Sequence, residues 1–155
     1  MKAGAHSHFL QIEAASKVLW YECGLGHPRV PDSDILAALH TEEAAVASFT
    51  RMRWAHGPYC LVCGRFSDLH EFQDGTGRFS CASCKGRFTI RKNTIFEDSR
   101  LPLNKWFFAM QLFIQGITLP HAEEALHCTK PTVSLLFRKI EEAARLGTLY
   151  RTGKK

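Results

Sequence analysis

Two pairs of cysteines with the same spacing constrain the fold of this chain more than any other feature. Each pair has the form Cys-x-x-Cys, and 17 residues separate the pairs, which is typical of a four-cysteine zinc site. Similar residues follow both pairs, CLVCGRF in the first and CASCKGRF in the second. A glycine close behind the second cysteine lets the backbone turn around a metal with its amides facing the sulfurs. We therefore predict one structural zinc ion bound by Cys60, Cys63, Cys81 and Cys84.

The size of the segment around the cysteines supports a structural metal. Residues 59–96 hold too few apolar side chains for an independent core, and structural zinc contributes about 10–16 kcal/mol of apparent binding free energy in small peptides. The alternative is a thioredoxin-like redox pair, which leaves the second pair unexplained and requires a βαβ context that this sequence lacks. We interpret Cys23 and Cys128 as small buried residues, and His56 and His70 as surface residues.

The positive charge of the chain is concentrated in its second half. The formal net charge is +5, but residues 1–84 carry −2 (7 basic, 9 acidic) and residues 85–155 carry +7 (13 basic, 6 acidic). Such an excess favours a polyanionic partner, either nucleic acid or an anionic membrane. The longest uncharged run, residues 106–122, has 17 residues, whereas a membrane-spanning helix needs about 20 apolar residues. With no signal-peptide core in the sequence, we expect a cytoplasmic, nucleoid-associated protein without membrane contact.

The pattern of apolar and turn residues predicts a small α+β fold, in which helices flank a ribbon of three to four short antiparallel strands. Thr41 is placed to cap a helix that runs to about Arg53, and the QDGTG sequence at 73–77 predicts a hairpin turn. Residues 103–115 are apolar nearly all round, which predicts a central buried helix. The predicted organisation is a helical lead of unassigned role (1–40), a helix leading into the ribbon (41–58), a zinc ribbon (59–96), a helix-turn-helix domain (101–146) and a basic, frayed tail (147–155).

Two adjacent helical segments, residues 121–127 and 130–146, fit a helix-turn-helix in which the second helix enters the major groove. Thr129 is placed to cap the second helix, and Arg138 is the best candidate for a bidentate base contact. The motif usually has a small residue and a glycine where this chain has Glu123 and His127. The alternative is an ordinary pair of short amphipathic helices.

A basic cluster upstream of these helices, formed by Arg78, Lys85, Arg87, Arg91 and Lys92, adds a second positive surface. The alternative interpretation of the cluster is a solvated face that balances the charge of zinc-bound thiolates. The DNA contacts predicted from both regions are Arg87, Arg91, Lys92, Lys130, Thr132, Ser134, Arg138 and Lys139.

Three stretches of the chain, residues 41–64, 78–110 and 126–146, together resemble the N-terminal part of the zinc-ribbon transposases of bacterial insertion sequences. The second stretch, RFSCASCKGRFTIRKNTIFEDSRLPLNKWFFAM, carries the most specific likeness. The resemblance implies that the four cysteines bind zinc and that this region recognises the terminal DNA of the element. In that family an RNase H-type catalytic domain follows, whose acidic residues hold two metal ions. Ala55-His56 departs from the Pro-Asp that the family often has.

The 155 residues end just after the second helix, and a nuclease fold of that type needs about a hundred residues more. We therefore expect a DNA-binding protein and no enzyme, either a truncated element or a fragment reused as a regulator or inhibitor. Its expected partner is double-stranded DNA, at a terminal inverted repeat or an operator-like site, and a homodimer or a protein partner is left open. The alternatives are a DNA-binding subunit of a split transposase and a zinc-ribbon adaptor for protein interactions.

Overall fold

The computed structural model describes residues 38–54 and 56–151. The predictions for Cys23, for Ala55, for nearly all of the helical lead and for the last four residues lie outside this part. Seven elements have both ends inside it, in an α+β arrangement that confirms the predicted fold class. They are α1 (Glu42–Arg53), β1 (Leu69–Glu71), β2 (Arg78–Cys81), β3 (Arg87–Thr89), α2 (Leu103–Ile114), α3 (Leu119–Leu126) and α4 (Lys130–Leu146).

The first helix, α1, begins and ends where the sequence predicts. The Thr41 hydroxyl accepts a hydrogen bond from the Ala44 amide at 3.3 Å, and two glutamates occupy the first turn. The helix buries Ala45, Val46 and Phe49 against the rest of the protein. Trp54 follows directly and is itself buried, so a large aromatic side chain at the end of α1 packs against the ribbon.

The three strands form one antiparallel sheet in the order β1-β2-β3, with Phe79 of β2 opposite Phe88 of β3. The predicted hairpin turn is confirmed between β1 and β2, where the Asp74 carboxylate accepts the Thr76 amide at 3.0 Å. Gly77 has a positive φ of 66°, and a Cβ there would lie 2.7 Å from Ile90 and 2.9 Å from Val46. This glycine therefore lets the hairpin approach both β3 and α1.

Aromatic side chains join the ribbon to the helices. Trp54 contacts Phe79 edge-on with ring centroids 4.9 Å apart, and Phe79 stacks on Phe88 at 5.7 Å. A second group surrounds the fully buried Phe96, whose ring lies 5.3 Å from that of Trp106 on α2. These residues belong to one continuous core that extends into α4. The predicted ribbon therefore shares its core with the helices that flank it.

The other three helices surround α2, which packs against α1, α3 and α4. Ala122 and Leu126 of α3 and Val133, Leu136 and Ile140 of α4 are all buried. His127 ends α3 in the left-handed conformation, with φ 51°, and so takes the conformation for which glycine is favoured in such turns. Within the part that the structure describes, no helix is long and apolar enough to cross a membrane.

The prediction of a frayed tail is wrong for residues 148–151. Leu149 is fully buried, and its carbonyl accepts the Ile95 amide at 3.0 Å. The Arg151 amide donates to the Asn93 carbonyl at 2.9 Å, and Tyr150 forms an isolated antiparallel bridge with Thr94. The segment is small, polar and basic in sequence, but the tertiary fold supplies both a hydrophobic site for Leu149 and a backbone partner for its neighbours.

Candidate metal centre

The four cysteines predicted to bind zinc come together at one place. Their sulfur atoms all lie within 4.8 Å of one another, with Cys60 Sγ 3.7 Å from Cys84 Sγ and Cys63 Sγ 3.8 Å from Cys81 Sγ. A tetrahedron with Zn–S bonds of about 2.3 Å has sulfur–sulfur edges of about 3.8 Å. An all-sulfur donor set at this separation fits zinc, and it leaves no open coordination position for a substrate.

The backbone of each cysteine pair folds into the same short turn. The Cys60 amide donates to the Arg65 carbonyl at 2.8 Å, and the Cys81 amide donates to the Gly86 carbonyl at 2.9 Å. Both bonds join residues five positions apart, so the two turns are structurally equivalent. They bring the two pairs of sulfurs to face each other across the site.

Amide groups point at the sulfurs, as the sequence predicts. The amides of Val62 and Cys63 each lie 3.4 Å from Cys60 Sγ, and the Gly86 amide lies 3.4 Å from Cys84 Sγ. These donors stabilise negative charge on sulfur, and they fix the direction in which each thiolate presents itself to a metal.

The glycines of the two turns have different roles, although the backbone turn itself is the same in both. Gly64 has a φ of 76°, but the equivalent position in the second turn is Lys85, with a φ of 59°. Gly86 instead lies between the turns, where a Cβ would be 3.0 Å from Val62 Cγ2 and 3.1 Å from Cys84 Sγ. It is required for close approach rather than for a left-handed conformation.

Replacing Gly86 by alanine is expected to lower zinc affinity about 10-fold or more, because the added methyl group pushes Cys84 and Val62 away from their places around the metal. Competition with a chromophoric chelator measures this change. The double variant Gly86→Ala/Val62→Ala should recover part of the affinity, since it relieves one of the two close approaches. Equal affinities of the single variant and the unaltered protein would contradict this account of Gly86.

The electrostatics of the four thiols favour a cation between them. Burial raises the pKa of the Cys60 thiol, but hydrogen bonds from the Cys63 and Val62 amides and from neighbouring thiols outweigh it and lower the pKa to about 6. The Gly86 amide lowers the pKa of Cys84, but burial and the three other sulfurs raise it to about 11. A divalent cation supplies the positive charge that four adjacent thiolates require.

Cys128 is less buried than the sequence predicts, whereas the two histidines near the ribbon lie at the surface as predicted. Cys128 is half-buried, and its thiol donates to the Leu126 carbonyl at 3.4 Å. His56 and His70 are exposed. Among the residues that the structure describes, the four cysteines form the one group of three or more side chains arranged to hold a metal.

The predicted DNA contacts on α4 lie on two different sides of that helix. Lys130, Ser134 and Arg138 are exposed, whereas Thr132 is half-buried. Thr129 occupies the N-cap position but makes no capping hydrogen bond, and its hydroxyl lies 3.0 Å from the Thr132 hydroxyl instead.

Lys139 does not share the exposed side. Its Nζ lies 5.9 Å from the centroid of the buried Trp106 ring, and burial lowers the pKa of its ammonium group. The Lys139 ammonium group is therefore directed toward the Trp106 ring, so Lys139 is a weaker candidate for a DNA contact than Arg138.

The predicted DNA contacts on the ribbon also differ in how accessible their side chains are. Arg87 is exposed and Lys92 half-buried. The Arg91 guanidinium instead donates to the Leu101 carbonyl at 2.7 Å and to the Ser99 carbonyl at 3.3 Å, and it pairs with Glu42 at 2.7 Å. The Arg91 guanidinium is therefore engaged within the protein and connects the turn after β3 to α1 and to the segment before α2.

Sequence reasoning missed one exposed cation, Arg100, which lines a surface groove together with Arg87 and Lys92. The acidic pair just before it, Glu97-Asp98, makes the local charge of the sequence look balanced. Only the fold places Arg100 beside Arg87 and Lys92, in a groove that Glu97 and Asp98 also line.

Comparisons with known proteins agree with this geometry. Residues 40–87 match a family described as the transposase zinc-ribbon domain. The chain is also 31% identical over 80 residues to an uncharacterized protein in the transposable element ISH50 of Halobacterium salinarum, a match that covers 48% of this chain and 26% of that relative. The matched part of this chain thus spans about a quarter of that relative's length. No solved structure matches this chain significantly. The predicted resemblance is confirmed: over residues 40–87, which contain all four clustered cysteines, this chain is similar to the zinc-ribbon domain of transposases.

Proposed function

We propose that this protein binds double-stranded DNA through α4, and that a structural zinc ion holds the ribbon beside it. The observation that carries the proposal is the amphipathic character of α4 and the way α3 supports it. The buried side, with Val133, Leu136 and Ile140, packs on the core, while Ser134 and Arg138 face outward. The similarity to transposase zinc ribbons and to a protein of a transposable element supports the same class of partner.

The outward side of α4 has the chemistry of a major-groove surface. Arg138 presents a guanidinium fork that suits the O6 and N7 atoms of guanine, and Leu135, one turn earlier, is 42% exposed and offers an apolar contact that suits a thymine methyl group. Lys130 and Ser134 lie nearer the start of the helix and suit phosphate oxygens. Base contacts and phosphate contacts would then lie along one exposed helix side.

Replacing Arg138 by alanine is expected to weaken binding to a selected duplex by about 1–3 kcal/mol, because the variant has no guanidinium to make a bidentate base contact. The duplex is obtained by selection from a random library, and affinities are measured by fluorescence anisotropy at several salt concentrations. Arg145→Ala is the matched control, since Arg145 is exposed in the last turn of the same helix. Equal decreases in affinity for both variants would contradict base readout by Arg138, and binding that ignores salt would contradict DNA binding altogether.

We further infer that these 155 residues recognise DNA without cutting it. The carboxylates after Cys84 occur as three adjacent pairs, and one of these pairs, Glu97 and Asp98, lies 3.8 and 3.7 Å from the Arg151 guanidinium. Carboxylates in this arrangement suit ion pairing and solvation better than a two-metal site. Incubating the protein with a selected duplex, Mg²⁺ and Mn²⁺ tests this inference, and the appearance of nicked strands would overturn it. A DNA-binding subunit of a split transposase would gain cleavage only when its second polypeptide is added.

Exposed apolar side chains on the first cysteine turn favour a protein-interaction adaptor as a second candidate function. Phe66 is 72% exposed, Val62 is 53% exposed, and the Tyr59 ring lies 5.6 Å from that of Phe66. Sedimentation of nuclease-treated protein tests self-association through this patch. A concentration-dependent dimer that Phe66→Ala abolishes would favour this candidate over DNA binding.

A further inference from the structure

A groove of about 570 Å³ lies between the ribbon and the segment that leads into α2. One wall is built from residues of β2, β3 and the turn after β3, and the other from residues 97–100. Arg78, Arg87, Arg91, Lys92 and Arg100 line it, together with three carboxylates. Counting the positive and negative residues of the groove therefore does not give its electrostatic potential. The potential that a ligand meets depends on which of these charges are already paired within the protein.

The carboxylates of the groove are already engaged. Glu42 accepts the Arg91 guanidinium at 2.7 Å and the Asn104 amide at 3.0 Å. Glu97 accepts the Asn93 amide at 2.8 Å, and Glu97 and Asp98 both lie within 3.8 Å of the Arg151 guanidinium. Arg91 offsets the charge of Glu42, whereas Glu97 and Asp98 share the single guanidinium of Arg151, so one negative charge of the three is left without a cation of its own.

Three cations of the groove are not engaged in this way. Arg87, Lys92 and Arg100 have no side-chain hydrogen bond or ion pair with any of the residues 38–54 and 56–151. Arg78, by contrast, pairs with Asp74 on the hairpin turn. The groove therefore presents net positive charge, and this charge is held where it can meet an external anion.

Two neutral hydroxyl groups, those of Thr89 and Ser99, also line the groove. Thr89 is exposed on β3, and the Ser99 Oγ atom accepts the Trp106 Nε1 hydrogen at 3.0 Å and the Leu101 amide at 3.2 Å. Because Ser99 accepts twice, its own hydroxyl hydrogen stays available for an anion. Arg91 ties the two walls together through its bonds to Ser99 and Leu101, and so acts as a positioning residue.

We propose that this groove binds the phosphodiester backbone of duplex DNA through Arg87, Lys92 and Arg100. The inference rests on the proposed function and extends it, since it adds a second DNA-binding surface outside α4. Contacts with phosphates orient a protein on the duplex without reading sequence. The groove joins the ribbon to the helical part, so an anchored backbone would set the direction in which α4 approaches the bases.

The test uses the full chain loaded with zinc and the triple variant Arg87→Gln/Lys92→Gln/Arg100→Gln. Affinities for the selected duplex and for an unrelated duplex are measured from low to moderate salt. The slope of log affinity against log salt should fall by about 0.9 for each phosphate that the variant no longer binds, hence by about 2 to 3. Affinity for both duplexes should fall by the same factor, about 10-fold or more, so that their ratio is unchanged.

The matched control removes three charges outside the groove, with Arg65→Gln/Lys85→Gln/Arg145→Gln. This control should change the salt slope by much less than the groove variant, because none of its residues lines the groove. Zinc content and thermal unfolding establish that each variant is folded. If the triple variant failed to retain zinc, Arg100→Gln alone would replace it, with an expected decrease in slope of about 0.9.

The outcomes separate this inference from the proposed function. An unchanged salt slope in the groove variant, with Arg138→Ala still reducing affinity for the selected duplex, overturns the groove and leaves α4 recognition standing. Absence of duplex binding by the unaltered protein overturns both. Tripolyphosphate that raises the melting temperature of the unaltered protein but not of the groove variant, with identical duplex slopes for both, overturns the groove as a DNA-binding surface and assigns it to a small phosphate.

Discussion

Replacing Cys60 by serine is expected to abolish zinc binding and unfold residues 59–96. Cys60 is 1% exposed, and its sulfur receives two backbone amides, so a serine hydroxyl would leave these donors without a thiolate and the metal without its fourth ligand. Structural zinc contributes about 10–16 kcal/mol of apparent binding free energy in small peptides, which exceeds the whole stability of many domains of this size. The variant should therefore lose the fold of the ribbon.

Two measurements test the Cys60 variant. A chromophoric chelator added after denaturation should find one zinc per chain in the unaltered protein and none in the variant. Limited proteolysis should then cut the variant between Tyr59 and Phe96, where the unaltered protein resists. Cys128→Ser is the matched control, because its half-buried thiol lies outside the cluster and should leave zinc content unchanged. Two zinc ions per chain, or a zinc-loaded Cys60→Ser variant, would contradict the single four-thiolate site.

Replacing Phe96 by alanine should lower the free energy of unfolding by about 3–5 kcal/mol, because the residue is fully buried and its removal leaves a cavity. Its ring packs against three other aromatic rings, with centroids 5.3 Å away in Phe49, 5.3 Å in Trp106 and 6.1 Å in Phe107. These rings come from α1 and α2, so the cavity would open between the ribbon and the helices. Urea unfolding followed by circular dichroism measures the decrease in stability.

Phe66→Ala is the control for Phe96→Ala. Phe66 is 72% exposed, and removing its ring should change stability by about 0.5 kcal/mol or less. Because ribbon and helices share one core, tryptophan fluorescence and circular dichroism should also report the same transition in the unaltered protein. Two separate transitions, or an effect of Phe96→Ala as small as that of Phe66→Ala, would contradict a shared core.

The two large effects have different origins. We expect a bound metal to organise the two cysteine turns, whereas Trp54 supplies the hydrophobic surface against which Phe79 and Phe88 of the ribbon pack. Losing zinc should therefore disorder the ribbon first. Losing Phe96 should instead weaken the attachment of the ribbon to the helices, while the two cysteine turns together can still bind the metal.

Features that depend on neighbouring residues in the chain were predictable. The Thr41 cap, the turn around Asp74 and the ends of α4 follow from local hydrogen bonding and backbone preference, and all three lie within a residue or two of their predicted positions. The clustering of the four cysteines was predictable for a related reason. Two Cys-x-x-Cys turns present sulfurs in a nearly fixed geometry, so spacing alone indicates the site.

Features that depend on distant residues were not predictable. Arg91 and Lys92 are adjacent and equally basic in sequence, and both line the groove, yet only Arg91 is bound there by Glu42, 49 positions away. Lys139 and Arg138 differ in the same way, because the Lys139 cation lies over the Trp106 ring, 33 positions away, whereas Arg138 is exposed. A charged side chain carries no local signal of its partner, because ion pairs and cation–aromatic interactions form across the fold.

The α+β class, the helix and hairpin positions, the clustering of the four cysteines and the likeness to transposase zinc ribbons all follow from the sequence alone. The tertiary structure alone decided that the ribbon and the helices share one core, that residues 148–151 pair with the chain near Thr94, and which cations face outward. Local conformational preferences and cysteine spacing act over a few residues and can be read from the chain. Burial and pairing of charges arise only when segments far apart in sequence meet.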